Sequence, residues 1–124
     1  MAEIDESILL SVKKLIGIPE DYTAFDVDII THINTTFDTL NQLGLGPDDG
    51  FSISDGSTTW SEYTTYGKEF NTVRSYMALK VRTLFDPPSN ASLYTVFDSQ
   101  LKEQEYRLLI FADELRLKKE KENS

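Results

Sequence analysis

Apolar side chains recur every three or four positions along four stretches of this chain, the spacing that gathers them on one face of an α-helix. The first stretch runs from about Asp5 to Ile16, with Ile8, Leu9, Val12, Leu15 and Ile16 on its apolar side. Glu3, Asp5 and Glu6 suit its positive end, Lys13 and Lys14 its negative end, and Gly17 followed by Pro19 stops it. The second runs from about Ala24 to Leu43 on a stripe of Ile29, Ile30, Ile33, Phe37, Leu40 and Leu43, with Gly44 as its stop. Its threonines and Asn34 are poor helix formers, so packing must hold it. The third, from about Lys68 to Phe85, turns Val73, Tyr76, Met77, Val81 and Leu84 toward the core. The fourth opens near Asn90 and extends to about Lys118, ahead of a polar tail at 119–124 expected to fray.

The joints differ in kind. Pro87 and Pro88 cannot extend the third helix, and Asp86, preceding a proline, is pushed out of the helical region. Ser89 or Asn90 can then cap the next helix. Between the second and third helices lies a long glycine-rich stretch, Leu45–Thr58, dense in turn residues. Phe51-Ser52-Ile53 alternates apolar and polar and predicts at most a short β piece. Thr59 can cap a single turn at Trp60–Thr64, with Trp60 and Tyr63 anchoring the loop to the body. These elements predict an all-α fold, a small bundle of four main helices, as a single domain over residues 1–124. Its core would include Ile8, Val12, Ile29, Ile33, Phe37, Leu40, Val73, Met77, Val81 and Leu84.

The fourth helix has more apolar surface than such a bundle can cover. Phe97, Leu101, Leu108, Phe111 and Leu115 form a near-heptad stripe, interrupted at Gln104, that can face the bundle. Tyr106, Leu109, Ile110 and Leu117 fall outside it, beside Arg107, Arg116, Lys118, Lys119 and Lys121. A helix apolar on both sides is buried on both sides, and a partner is the economical second cover.

Charge sharpens the picture. The net charge is −9, and no Lys or Arg occurs from Leu15 to Gly67, an interval holding Glu20, Asp21, Asp26, Asp28, Asp38, Asp48, Asp49, Asp55 and Glu62. Such a surface repels phosphate, because nucleic-acid affinity needs cations that displace counterions. With no cysteine in 124 residues, disulfides, thiolate catalysis and thiolate-bound zinc are excluded, as fits a reducing compartment. No apolar run approaches a membrane span, and the acidic start lacks a signal-peptide layout. His32, the one histidine, sits at the edge of the Ile29–Ile33 face, and no catalytic motif is present. Asp48, Asp49 and Asp55 lack the ligand spacing of a calcium loop. No enzyme activity, catalytic residue, metal or cofactor is expected.

Three segments, taken in order, resemble the small head–tail connector (head-completion adaptor) family of long-tailed bacteriophages. They are SILLSVKKLIGIPEDYTAFDVDIITHIN (Ser7–Asn34), LNQLGLGPDDGFSISDGSTTW (Leu40–Trp60) and KVRTLFDPP (Lys80–Pro88). The resemblance covers most of the chain and lies in order and spacing, not in one fingerprint. It implies a structural virion protein that forms a closed twelvefold ring under the portal and joins it to the stopper or tail-completion protein. DNA would pass through without being specifically bound, and assembly would take place in the bacterial host cytoplasm. The C-terminal helix, through Tyr106, Arg107, Leu109, Ile110 and Leu117, is then the portal-docking element. Arg74, Lys80 and Arg82 would lie at subunit contacts, facing acidic neighbours. Asp48, Asp49, Phe51, Ile53 and Asp55 would put the loop toward a neighbour or the DNA channel, where negative charge does not grip DNA. The competing reading is a small acidic interaction protein, such as an inhibitor that mimics DNA charge.

Overall fold

A computed structural model describes residues 5–63 and 66–123, all within one helical bundle. The helices are α1 (Ile8–Ile16), α2 (Asp26–Leu43), the single turn α3 (Trp60–Tyr63), α4 (Glu69–Phe85) and α5 (Ala91–Glu122). α4 is the hub and packs against α1, α2 and α5, while α2 also meets α1 and α5. The buried core draws on every element, from Ile8 and Val12 through Ile29, Ile33, Phe37 and Leu40 to Val73, Met77, Val81 and Leu101.

Local chemistry sets most of the boundaries. Ser7 caps α1, its Oγ accepting the Leu10 N–H at 3.2 Å, so the helix opens at Ile8 and its acidic residues precede the first turn instead of lying in it. Glu3 lies outside the described residues. Gly17 and Gly44 close α1 and α2 in the left-handed region at φ 86° and 102°, the conformation a helix-ending glycine supplies without a Cβ clash. Asn90 caps α5, accepting from the Leu93 N–H at 3.1 Å. α5 continues to Glu122, past the Lys118 end read from the sequence, and its 32 residues span about 48 Å. Along α2, Thr31, Thr35 and Thr36 each return a hydroxyl bond to the carbonyl four residues earlier, which satisfies the side chains of these weak helix formers.

One expected core position, Leu84, is instead 39% exposed, one residue before the end of α4. Leu15, on the apolar side of α1, is 48% exposed near that helix's end. The Leu45–Thr58 segment is not an outward excursion. The Asn34 side-chain amide pairs with the Ile53 backbone in both directions, donating to its carbonyl at 2.9 Å and accepting its N–H at 2.8 Å. That pairing does the work of a strand partner, and no β strand forms at Phe51–Ile53. The segment's far end bridges to the chain ahead of α1, with the Ile8 N–H on Thr58 O at 3.0 Å and the Trp60 N–H on Glu6 O at 3.2 Å. In α3 the Thr59 N–H donates to the Glu62 carboxylate at 2.7 Å, half of a capping box. Thr64, where that turn was expected to end, lies outside the described residues. Trp60 is fully buried, as its anchoring role requires, and donates its indole N–H to Ser11 Oγ at 2.8 Å.

Candidate assembly surfaces

Lys13 shows how the acidic side of the subunit is held. It lies in the last turn of α1, where a basic residue suits the helix's negative end, yet its side chain is 0% exposed. Its Nζ donates to the carbonyls of Glu20 and Tyr22 at 3.0 and 2.8 Å and pairs with Asp26 Oδ1 at 2.9 Å. One buried ammonium therefore ties the α1–α2 connection and the first turn of α2 to α1. The sequence offered a hint: Lys13 follows Val12 directly and shares the inward half of the helix with Leu9.

The three basic residues of α4 do not act together. Arg74 and Arg82, both half-buried, line one groove with Leu15, Ile16, Leu79 and Phe97, of about 400 Å³ between α1, α4 and α5. Each guanidinium stands over a ring, Arg74 at 6.0 Å from the Phe70 centroid and Arg82 at 5.7 Å from that of Phe97. Stacking of this kind holds a planar cation in place. Lys80 is also half-buried but does not line this groove.

On α5 the two-sided character is present in the fold. Leu101, Leu108 and Ala112 are buried, with Phe111 and Leu115 packed against the core. Tyr106, Leu109, Ile110 and Leu117 are exposed, Tyr106 to 64% and Leu117 to 56%. Tyr106, Ile110 and Leu117, at spacings of four and seven, run along the side away from the buried stripe. Arg107 on this helix pairs with Glu103 at 2.7 Å and Arg116 with Glu120 at 3.1 Å, both exposed. The far half of α5 is clamped to the body: Tyr66 stacks edge-on against Phe111 and its Oη accepts the Gly46 N–H at 2.7 Å. Leu108 and Ala112 are core residues, so the ridge cannot be removed with the helix without opening the bundle.

The loop residues separate by chemistry. Ile53 is buried, and Phe51 packs edge-on against Phe37 and Tyr63. Both therefore serve their own subunit's core, which corrects the expectation that they turn toward a neighbour or a channel. Asp48, Asp49 and Asp55 are exposed. Asp55 accepts from the N–H and hydroxyl of Ser57 at 2.8 and 2.5 Å, and these bonds hold its carboxyl below the usual carboxylate range.

One surface escaped the sequence reading. At the start of α2, Tyr22, Phe25 and Val27 are exposed among Glu20, Asp21 and Asp28. Phe25 meets Tyr22 and Phe85 edge-on at centroid distances of 5.5 and 5.2 Å. Its signal was a valine out of phase with the Ile29–Ile33–Phe37 stripe, inside an acidic turn. His32 lies beside the Phe85 ring at 6.4 Å, at the edge of the core face as expected. Among the described residues no group of three metal-ligating side chains is placed to hold an ion, and no helix is long and apolar enough to cross a membrane.

These features describe a small helical module with two unpartnered surfaces and a polarised charge, the form of an assembly component. A family model described as phage connector protein matches residues 8–114, from the first residue of α1 deep into α5. The chain belongs to the phage connector protein family, and its role is structural, in joining the head of a phage particle to its tail. Self-association, portal and tail proteins as partners, and a place in the virion come with that membership. No curated protein and no solved structure gives a significant match.

Proposed function

We propose that the chain assembles as a closed homo-oligomeric ring, twelvefold in the virion, that seats beneath the portal and receives the stopper or tail-completion protein. DNA passes through the ring without being gripped. The observation that carries this reading is the outer ridge of α5. Tyr106, Leu109, Ile110 and Leu117 stay exposed on a helix whose opposite side is fully engaged by its own bundle. Burying that ridge on the portal is favourable at about 25 cal/mol per Å² of apolar surface removed from water. Arg107, within the ridge, contributes orientation and encounter rate more than affinity. Arg74 and Arg82 serve the contact between subunits, with Lys80 on a neighbouring face. The exposed Asp48, Asp49 and Asp55 add negative charge that is unattractive to phosphate.

The docking half is tested by substituting Tyr106, Ile110 and Leu117 with serine. All three are surface positions, so the protein should keep its helical circular dichroism and unfold as the wild type does. It should fail to join portal-bearing heads in a head-completion assay. Heads completed at the wild-type level by this folded variant would move the docking surface off α5.

A further inference from the structure

The large apolar side chains that the fold leaves exposed are not scattered. Among the described residues, all but Leu15 gather in two places. One is the ridge of Tyr106, Leu109, Ile110 and Leu117 on α5. The other is the end of the bundle where α2 begins, α4 ends and α5 begins, joined by the edge-on contact of Phe25 with Phe85. There Tyr22, Phe25 and Val27 are exposed, Val27 to 78%. Leu84, Leu93, Tyr94 and Val96 are exposed at the α4–α5 corner, and no residue of α5 is buried before Leu101. The two places are well separated. From Asp28 to Gly44, α2 covers about 24 Å, and Gly44 abuts Ala112 in the half of α5 that bears the ridge.

The second place also carries one sign of charge. Residues 15–67 and 83–101, which supply it, contain no Lys or Arg, while Glu20, Asp21, Asp28 and Asp86 are exposed there. Within it Phe25 and Phe85 wall a hollow of about 470 Å³ together with Asp28, His32 and Asp86. Two rings and two carboxylates around one space suit a cation with an apolar stem. We infer that this end of the bundle docks the tail-side protein through a basic segment, whose arginine side chain fills the hollow. The arginine methylenes lie on the rings of Phe25 and Phe85, and the guanidinium bonds to the Asp28 and Asp86 carboxylates, which its fork geometry suits. Val27 and the exposed start of α5 add apolar area to the contact. A second copy seated here by its α5 ridge would consume both surfaces and leave none for the portal or the tail. The inference rests on the proposed ring, with the α5 ridge as its portal side, and assigns the opposite end.

Asp28 and Asp86 are both exposed, so the full-length Asp28→Arg/Asp86→Arg chain should keep its helical circular dichroism. It should assemble and remain on purified portal-bearing heads, seen as its band in a denaturing gel. Joining of purified tails to those heads, counted by electron microscopy, should fall by about tenfold or more. Asp28→Asn/Asp86→Asn keeps the side-chain shape and removes only the charge, so it should lower tail joining in the same step and carries the test if the arginine pair unfolds. Phage bearing the arginine pair, plated for restored growth, should yield suppressors that replace an arginine of the tail-side protein with an acidic or uncharged residue. Folded variants that occupy the heads and take tails at the wild-type level overturn this inference and leave the ring standing. A loss at ring formation or at the portal, or suppressors in the portal protein, gives the surface to a second copy or to the portal and overturns it too. A wild type that never occupies portal-bearing heads overturns the ring reading, and this inference with it.

Discussion

Removing the buried ammonium of Lys13 should cost more than any surface reading of that residue allows. The side chain is 0% exposed and makes two bonds to backbone carbonyls and one ion pair, while Asp26 keeps 25% of its side chain in water. Breaking a buried ion pair typically costs about 3–5 kcal/mol, because the partner is left without compensation. Here part of the Asp26 side chain keeps contact with water although the paired Oδ1 is itself buried, which places the charge-related loss at the low end. Lys13→Met keeps most of the apolar stem and isolates the ammonium, so it should cost about 2–3 kcal/mol. Lys13→Ala also deletes buried methylenes, at about 0.8 kcal/mol each, and should cost about 5 kcal/mol. Against a typical total of about 5–15 kcal/mol, either loss is large. Urea unfolding at neutral pH, followed by far-ultraviolet circular dichroism and by the fluorescence of Trp60, the only tryptophan, measures both. Lys14→Ala, at an exposed position, is the control and should fall within about 0.5 kcal/mol of wild type. A Lys13→Met protein as stable as wild type would refute the reasoning, leaving the residue a packing stem whose charge does nothing.

Other expectations follow from single contacts. Gly46→Ala should destabilise strongly, because φ is +87° and an added Cβ would stand 2.7 Å from Tyr63 Cε1; Gly50→Ala, at φ +89° with nothing within 4 Å, should show only the backbone penalty of about 1 kcal/mol. Ser11→Ala leaves the buried Trp60 indole N–H without its acceptor at 2.8 Å and should cost about 1–3 kcal/mol by urea unfolding. Alkali should unfold the protein through Tyr63 and Tyr76. Burial first, then the neighbouring Tyr66 for Tyr63 and Glu105 for Tyr76, raise both phenols above the ordinary 10.0. A phenol raised in the folded state stabilises it fully below pH 10 and loses that contribution as pH climbs beyond, where the unfolded chain ionises first. A spectrophotometric titration should therefore show these two phenols ionising together with loss of helical signal, and Tyr76→Phe should blunt the alkaline loss.

The helices were legible because each has an apolar stripe in one phase and a chemical stop, as at Gly17, Gly44 and Pro87–Pro88. The outer ridge of α5 was legible for the same reason, since Tyr106, Ile110 and Leu117 break the phase of Leu101, Leu108 and Leu115. What escaped was set by contacts distant in sequence. Asn34 sits in a helix, yet its amide fixes Ile53, and nothing local announces that a loop has found its strand partner there. Lys13 looked like a helix-end charge until the α1–α2 connection turned two carbonyls and a carboxylate onto it. Leu84 belongs to the α4 stripe by phase but outlives its neighbours by a turn, so periodicity counts it as core and the fold leaves it at the rim. Of the three basic residues on α4, only the fold separates Lys80 from the groove that Arg74 and Arg82 share.

The central claim is that this chain closes into a ring, and mass in solution tests it most directly. Light scattering on a sizing column, run across protein concentration with and without portal protein, reads the size of the assembled species. The account predicts a discrete species about twelve times the 14.1 kDa chain mass, formed at high concentration or on the portal, with no continuous series of larger aggregates. A species that remains at the mass of one chain under every condition, or stops at two, would contradict it.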